Sequence, residues 1–386
     1  MINPFTTQKL DCYLTCPRGL EEVTATQIAP YCNSLKPQHG GVSFSGDLKS
    51  LYSVNYYVRT GMYALIKIIE IQVKNNADLY QQITEYPWFE WISHETPFSI
   101  RTRGDSKTFP NPQFLTLKVK DAIIDNIRRK TKRRPDIDKK TPIYSLFVFN
   151  DNDKIKVFLN SSGESLSKRG YREKIHIASL NESLASGLVM LSGWQSHQPL
   201  YDPMCGSGTI LIEAAMIGRN IPGGYYRREY GFQKWRDYNP RLWNLIVKEA
   251  KEKIISDRLH IFGSDNISAN VELTSINIRQ ILMKQWIHVT KKEFAEFSPE
   301  EEGIIIMNPP YGHRLNEEDE LIPLYKLIGD ILKNKCINMD AFIFTGNQNL
   351  SKHIGLKAKR RYVLKNGKID CRLIHFPIRE GNYLDN

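Results

Sequence analysis

The sequence contains no long apolar run, no paired cysteines and no secretion signal. None of its 386 residues belongs to an apolar stretch close to the ~18–20 residues that cross a bilayer. The first ten residues lack the basic-then-apolar order of a signal peptide, and the six cysteines show neither a CxxC pair nor a zinc-ligand spacing. These absences exclude a helical membrane protein, a disulfide scaffold and a zinc finger. They predict a cytoplasmic protein of a reducing compartment, with no metal site and no membrane partner.

Acidic residues are fewer than basic ones. The chain has 53 Lys and Arg against 42 Asp and Glu, a net charge of +11, which is either a solvated surface or the footprint of an acidic polymer. Basic residues cluster at 128–134, 168–172, 225–228 and 357–362, and three of these four clusters contain or adjoin tyrosine. Basic groups bind phosphates, and aromatic rings stack on unpaired bases. Each run taken alone is also typical of a solvated face. On the polymer interpretation, the predicted contacts are Arg128, Arg129, Arg133, Arg134, Lys168, Arg169, Arg172, Arg227 and Arg228.

The C-terminal half alternates short β-rich runs with longer helical patterns, which predicts a mostly parallel sheet covered by helices on both faces. The predicted strands are 200–201, 260–263, 287–289, 303–307 and 341–345, and the predicted helices are 209–217, 240–256, 268–283 and 320–333. The pattern then changes to two runs, 361–365 and 368–375, around Asn366-Gly367. This predicts a terminal antiparallel hairpin with a type I′ turn.

A glycine-rich turn follows the first of these strands. The segment Asp202-Pro-Met-Cys205-Gly206-Ser-Gly208-Thr209 leads from a strand into a helix, where glycines permit a tight turn and close approach of a ligand. A GxxxxGK[ST] motif is absent, and so is the third glycine of a dinucleotide-binding loop. The loop is therefore either a simple turn or the site of a compact nucleoside ligand.

An acidic residue at the end of the second strand normally holds the ribose hydroxyls of such a ligand. Asp265 has this place, but it lies 57 residues beyond Gly208, whereas about 20 is typical. An inserted segment of about residues 218–256 accounts for the difference. The alternative role for Asp265 is a helix N-cap.

The second motif, Asn308-Pro309-Pro310-Tyr311-Gly312, follows the fourth strand, at the edge where open α/β sheets bind ligands. The prolines stiffen the backbone. The Asn308 side chain and the Pro309 carbonyl are then able to accept both hydrogens of one exocyclic amine, and Tyr311 is placed to stack on its base. The alternative is a proline-rich turn. His313, a conceivable proton acceptor, is interpreted as a loop residue.

The two motifs together resemble class I S-adenosylmethionine-dependent amino-methyltransferases. Further segments resemble the bacterial THUMP-domain RNA methyltransferases, the family of the 23S ribosomal RNA guanine-N2 enzymes, whose members are often labelled N6-adenine-specific DNA methylases. These segments are residues 15–21, 40–46, 119–125, 168–172, 181–186, 191–195 and 212–221. The resemblance implies a Rossmann-like methyltransferase domain over 165–386. It also implies an N-terminal α+β RNA-binding region over 1–160, a ferredoxin-like piece followed by a THUMP domain at about 45–157.

The resemblance also assigns roles to residues. It implies cofactor contacts by Asp202, Cys205, Gly206, Gly208 and Thr209, with Asp265 at the ribose and Glu182 near the methionine end. Glu293 stands where an adenine-contacting acid usually follows the third strand. Longer members carry a second methyltransferase domain, whose activity we expect to be absent from a chain ending at 386.

The expected reaction is methylation of an exocyclic base amine in RNA, guanine N2 of 23S rRNA, by direct displacement. Two alternatives stay open: an N6-adenine DNA methyltransferase, since both targets are exocyclic amines, and a non-catalytic RNA-binding or ribosome-assembly factor. A pyrimidine C5 methyltransferase would need a nucleophilic thiol, and Cys205 lies inside the cofactor loop. The sequence leaves the target nucleotide and the oligomeric state open.

Overall fold

Two seven-stranded sheets organise the chain in a computed structural model that describes residues 4–5, 7–172, 180–312 and 318–380. The strands of the first sheet are β1 (Leu10–Thr15), β2 (Asn33–Gln38), β3 (Gly41–Gly46), β4 (Tyr63–Gln72), β5 (Phe98–Arg103), β6 (Tyr144–Asp151) and β7 (Lys154–Asn160). The strands of the second are β8 (Leu200–Asp202), β9 (Ile261–Asp265), β10 (Ile287–Lys291), β11 (Ile304–Met307), β12 (Asp340–Thr345), β13 (Arg360–Asn366) and β14 (Ile369–Pro377).

Helices flank both sheets. They are α1 (Glu21–Ile28), α2 (Leu48–Tyr57), α3 (Asn76–Glu85), α4 (Pro112–Thr131), α5 (Glu182–Ser192), α6 (Thr209–Gly218), α7 (Pro240–Glu252), α8 (Ser268–Gln280), α9 (Glu318–Lys335) and α10 (Gln348–Lys352). Short 3₁₀ turns lie at Trp88–Glu90, Gly231–Lys234 and Phe294–Glu296. Among the residues described, no helix is long and apolar enough to span a bilayer.

The first sheet has the strand order β2-β3-β1-β4-β7-β6-β5 and is antiparallel except for the parallel pair β5–β6. Its β6–β7 hairpin turns through Asn152 and Asp153, which both have positive φ, as a tight type I′ turn requires. The N-caps Asp47 and Asn111 accept backbone N–H groups at the starts of α2 and α4. The sequence has a helical pattern over 47–58 and 113–130 and two β-rich runs on either side of 151–153, and α2, α4 and the β6–β7 hairpin lie at these places.

The second sheet has the order β10-β9-β8-β11-β12-β14-β13. Strands β8 to β12 are parallel, while β14 runs antiparallel to both β12 and β13. The predicted doubly wound sheet with a terminal antiparallel hairpin is therefore confirmed. The chain moves outward from β8 to β10 and then returns to β11 on the other side of β8, which creates a topological switch point between β8 and β11.

The predicted turn of the terminal hairpin is wrong by one residue. Asn366 pairs with Ile369, so the two-residue loop is Gly367-Lys368, and of these only Gly367 has positive φ. Positive φ at the first central residue alone is typical of a type II′ turn. Pairing of β14 with β12, which sets Thr345 opposite Arg372, fixes the strand register that selects this turn.

The segment inserted between α6 and β9 packs against the first sheet. Phe232 and Trp243 are buried in the same core as Tyr52 of α2, with the Phe232 and Tyr52 rings stacked at 4.2 Å between centroids. Asn239 N–H donates to the Tyr52 hydroxyl at 3.1 Å. The predicted insert therefore joins the N-terminal region to the second sheet.

Candidate active site

The two sequence motifs meet at the carboxyl edge of the second sheet. Strands β8 and β11 are parallel neighbours, with Ile304 opposite Leu200. Asp202 ends β8 and Asn308 directly follows β11, so both motifs leave the sheet at its switch point. This is the crevice in which open α/β sheets bind ligands.

The glycine loop is shaped by backbone conformation and supported by α8. Gly206 and Gly208 have φ of +54° and +76°. A Cβ on Gly208 would lie 2.4 Å from Thr274 Cγ2, whereas no described atom lies within 4 Å of a Cβ placed on Gly206. Thr274 Oγ1 donates to Gly206 O at 2.7 Å, and Asn277 Nδ2 donates to Ser207 O at 3.3 Å. The loop is thus supported by α8 on one side, while the space beside Gly206 is open. Sequence reasoning missed both supporting residues, Thr274 and Asn277.

Asp265 connects the glycine loop to β9. Its Oδ2 accepts Gly206 N–H at 2.9 Å, while Oδ1 accepts Ile267 N–H and Asn270 Nδ2, both at 3.0 Å. The N-cap of α8 is Ile267, so the alternative that Asp265 caps this helix is wrong. Each carboxylate oxygen has two lone pairs, so Oδ2 keeps one for a further donor.

Asp202 lies beneath the loop and is 1% exposed. Burial raises the pKa of this carboxyl to about 8; the N–H of Met204 opposes the shift and the negative charge of Asp265 adds to it. Asp202 therefore holds its proton over most of the physiological pH range.

Cys205 has a buried side chain, and burial raises the pKa of its thiol above the usual range. Its backbone N–H donates to Ser264 O at 2.9 Å, which fastens the loop to β9. A buried protonated thiol is a poor nucleophile, so the structure gives no support to a thiol mechanism.

Arg172, predicted as a nucleic-acid contact, has its guanidinium bonded within the protein beside the glycine loop. Its guanidinium donates to the Thr209 hydroxyl at the start of α6 and to Leu180 O at 2.9 Å. Its Nε lies 3.4 Å from Glu182 Oε1. Burial raises the pKa of Glu182, and the charge of Arg172 opposes this shift. An ion pair therefore stands near the N-terminus of α6, and the resemblance places Glu182 near the methionine end of the cofactor.

Glu293 stands on the other side of Asp265. Its exposed carboxylate accepts Asn266 Nδ2 at 3.3 Å, and the adjacent Lys292 N–H donates to Asp265 O at 3.1 Å. The structure thus brings Glu293 to the same rim as Asp265.

The second motif presents a buried acceptor without a partner. Asn308 Oδ1 is shielded from solvent and forms no hydrogen bond with the described residues. Pro309 is buried and Pro310 is exposed. A buried unsatisfied acceptor costs about 1–3 kcal/mol, and at this edge of the sheet Oδ1 is available to accept a hydrogen bond from a ligand.

Tyr311 is held by residues that sequence reasoning missed. Its hydroxyl accepts Asn366 Nδ2 at 3.2 Å. Its ring covers Gly346, where an added Cβ would lie 2.8 Å from Cε2. Burial raises the pKa of Tyr311, so the phenol stays neutral. His313, predicted as a loop residue, lies outside the described residues.

Arg169 is not available for nucleic-acid contact, which overturns its prediction. It is 1% exposed, and its Nε lies 3.4 Å from Oε1 of the fully buried Glu213 on α6. The same guanidinium donates to Leu166 O at 2.6 Å and to Arg59 O. Glu213 also accepts the hydroxyl of Tyr171 at 3.0 Å. This buried pair connects the N-terminal region to the helix that follows the glycine loop.

Arg227 also differs from its prediction. A guanidinium has five N–H donors. In Arg227 these donate to carbonyl oxygens at 2.7–3.3 Å, namely those of Ser162, Glu164, Ser165, Lys168 and Glu229. Because its donors are used within the protein, Arg227 fastens the insert to the chain segment that precedes α5.

The remaining predicted basic contacts are on the surface. Arg128 and Arg133 are exposed near the carboxyl end of α4, where Arg128 pairs with Asp125 at 2.9 Å. Arg129 and Arg134 are exposed beside them. Lys168 pairs with Glu164 at 2.8 Å, and Arg228 is exposed.

The residues of this crevice fit a nucleoside-type cofactor with an amino-acid tail. The face of Gly206 is open, Asp265 keeps an acceptor, and the first turn of α6 has no side-chain cap. The Arg172–Glu182 pair offers one charge of each sign to an amino and a carboxylate group. No group of three or more His, Cys, Asp and Glu among the described residues is placed to hold a metal ion.

Comparisons with known proteins agree with this geometry. A family model described as an RMKL-like methyltransferase domain matches residues 169–375, a THUMP domain model matches 73–160, and an RlmL ferredoxin-like domain model matches 11–62. A Synechocystis protein named "Putative RNA methyltransferase" is 35% identical over 370 residues, which cover 95% of this chain and 96% of the relative.

Two solved structures share the whole architecture. A "possible methylase" from Clostridium difficile 630 superposes with a TM-score of 0.88 at 29% identity, covering 97% of this chain and 99% of its own. SMU.472, "a putative methyltransferase complexed with SAH", gives a TM-score of 0.87 at 26% identity, covering 98% and 100%. The resemblance inferred from the two motifs is confirmed, and the chain belongs to the RMKL-like methyltransferase family, with RlmL ferredoxin-like and THUMP domains preceding its methyltransferase domain.

Proposed function

We propose that this methyltransferase, which uses S-adenosylmethionine, methylates an exocyclic base amine in RNA, guanine N2 of 23S ribosomal RNA, in the cytoplasm. The observation that carries the proposal is the buried, unpartnered Oδ1 of Asn308 at the switch point. It stands beside a proline carbonyl and at the same sheet edge as the glycine loop. A pair of acceptors at this place fits an amine with two hydrogens.

Each group in the crevice has a distinct part in the reaction. Asn308 Oδ1 and the Pro309 carbonyl accept the two hydrogens of the target amine and orient its lone pair. Gly206, Asp265 and the Arg172–Glu182 pair hold the cofactor, which supplies an electrophilic methyl group on its sulfonium when bound. Alignment of the amine with that methyl group provides much of the rate, and the methylated amine loses its proton afterwards.

The N-terminal region supports RNA as the substrate. It matches a THUMP domain, and the Synechocystis relative is named for RNA methylation. We assign RNA binding to residues 1–160 and methyl transfer to residues 165–386. Surface contacts by Lys168, Arg228 and the arginines at 128–134 belong to this proposal. Changing the four arginines of that run to Gln should flatten the salt dependence of RNA binding.

Methyl transfer from tritiated S-adenosylmethionine tests the proposal. Ribosomal RNA from cells lacking the protein and duplex DNA serve as parallel substrates, and the Asn308→Ala protein is the matched control. We expect label in the RNA, none in the DNA and a strong decrease for the control. Label in DNA alone would favour the adenine-N6 alternative, and no transfer with intact RNA binding would favour an assembly factor.

A further inference from the structure

A cleft of about 700 Å³ runs between the N-terminal sheet and the methyltransferase domain. It is lined by Ser99 and Arg101 of β5 and by the segment 139–143, and also by residues within 162–172, by the segment 227–231 and by Lys234. The lining therefore comes from the first sheet, from the segment that precedes α5 and from the insert between α6 and β9.

The lining of the cleft is strongly basic. Nine Lys or Arg residues and three Glu residues line it, although Lys168, Arg169 and Arg172 form ion pairs and the donors of Arg227 are used within the protein. Five of these cations are exposed and form no salt bridge with the described residues: Arg101, Lys139, Lys140, Arg228 and Lys234. Such a surface is electrostatically complementary to a phosphodiester backbone. Four of the five were not among the contacts predicted from the sequence.

One end of the cleft adjoins the start of α6. Arg172 and Glu182 line the cleft, and Arg172 donates to the Thr209 hydroxyl at the start of α6. The hydrogen bonds that Arg227 donates to Ser162 O and Ser165 O fix the position of the 227–231 segment of the lining. Through Arg172, one end of the cleft therefore adjoins the helix that follows the glycine loop.

We propose that this cleft binds a single-stranded RNA segment next to the target nucleotide, with its phosphates on Arg101, Lys139, Lys140, Arg228 and Lys234. The proposal rests on the proposed function and specifies where the substrate lies. A volume of about 700 Å³ suits a short length of a single strand. The target base must also leave its stack before it reaches Asn308, and a single-stranded flank makes that step less costly.

The triple variant Arg101→Gln/Lys139→Gln/Lys140→Gln tests the cleft without touching the methyl-transfer site. Single-strand binding gives a salt slope of about −0.7 for each phosphate contact. Loss of three contacts should reduce the magnitude of this slope by about 2. If wild type and variant bind equally at 1 M salt, the variant should then bind about 100-fold more weakly than wild type at 0.1 M salt. Fluorescence anisotropy with a labelled 20-nucleotide single-stranded RNA measures both quantities on the full chain.

The matched control changes three exposed cations outside the cleft, Arg241, Lys251 and Lys284, to Gln. Affinity for S-adenosylhomocysteine, measured by calorimetry, should be the same in wild type and both variants. An equal decrease in the salt slope for both triple variants would overturn the proposal, because it would show an effect of net charge alone.

Photo-crosslinking of the wild-type chain to a 4-thiouridine RNA gives an independent readout. We expect crosslinked peptides from 139–143 and 228–234, and crosslinks confined to other surfaces would contradict the cleft. If the wild type methylates RNA while the cleft variant binds RNA normally, the proposed RNA site in the cleft is wrong and the proposed function stands. If the wild type neither binds nor methylates RNA, both are wrong.

Discussion

Replacing Asn308 with alanine separates catalysis from stability. In the folded protein the Asn308 side chain is half-buried and its Oδ1 has no partner among the described residues. Such an acceptor costs about 1–3 kcal/mol, so its removal relieves a penalty while losing some packing. We therefore expect the melting temperature of Asn308→Ala to stay within a few degrees of wild type or to rise.

The rate of methyl transfer should respond in the opposite way. The Asn308 oxygen accepts from an amine that becomes cationic as the methyl group arrives, so this hydrogen bond is stronger in the transition state than in the ground state. Loss of one preorganised group of this kind costs roughly 3–4 kcal/mol, or 10²–10³ in rate. Cofactor affinity should be unchanged, because the glycine loop and Asp265 are bonded to each other and not to Asn308.

Single-turnover methylation measures the rate of methyl transfer, thermal melting measures stability, and calorimetry with S-adenosylhomocysteine measures cofactor affinity. Asn308→Asp, which keeps an acceptor oxygen, is the matched control and should retain more transfer than Asn308→Ala. A large fall in melting temperature with a proportional loss of rate would refute the reasoning, because Asn308 would then be a structural residue.

Three further predictions concern the supporting residues. Asp265→Ala should weaken S-adenosylhomocysteine binding about 10–100-fold, since hydrogen bonds to a charged group contribute about 1.5–3 kcal/mol; an affinity within twofold of wild type would contradict its role. The pKa of Asp202 is raised to about 8 in the folded protein, so folding stability should fall as pH rises from about 4 to 8. Urea melts from pH 5 to 9 should show a weaker fall for Asp202→Asn, and identical profiles would show that Asp202 ionises normally. Arg169→Met leaves Glu213 buried without its paired cation and should lower the free energy of unfolding by about 3–5 kcal/mol. The Arg169→Met/Glu213→Met double variant should lose less than the sum of the two single variants, and additive losses in urea denaturation would show that the two residues are not coupled.

The sequence was most informative where local patterns decide the structure. The strand–helix alternation after Pro199 predicted the parallel sheet, because apolar runs such as Ile304–Met307 are typical of strands covered on both faces. The glycine loop and Asn308 were both predicted from residue type and from their places at strand ends. Parallel topology brings such places together at one edge, whatever their separation along the chain.

Contacts between distant residues could not be predicted in the same way. Arg169 has the sequence environment of a surface basic cluster, and its buried partner Glu213 lies 44 residues away. A buried arginine is tolerated only when it is paired, and a single sequence does not show which pairs form. For the same reason, the supports of the glycine loop on α8 and the hydrogen bond between Asn366 and Tyr311 were missed.

Nucleoside analysis of the methylated product tests the central claim most directly. Ribosomal RNA from cells that lack the protein is incubated with the full chain and deuterated S-adenosylmethionine, digested to nucleosides and separated by liquid chromatography with mass spectrometry. We predict deuterated N2-methylguanosine, formed by wild type and decreased at least 100-fold with Asn308→Ala. Deuterium on a ring carbon or a ribose oxygen would contradict an active site built around an exocyclic amine.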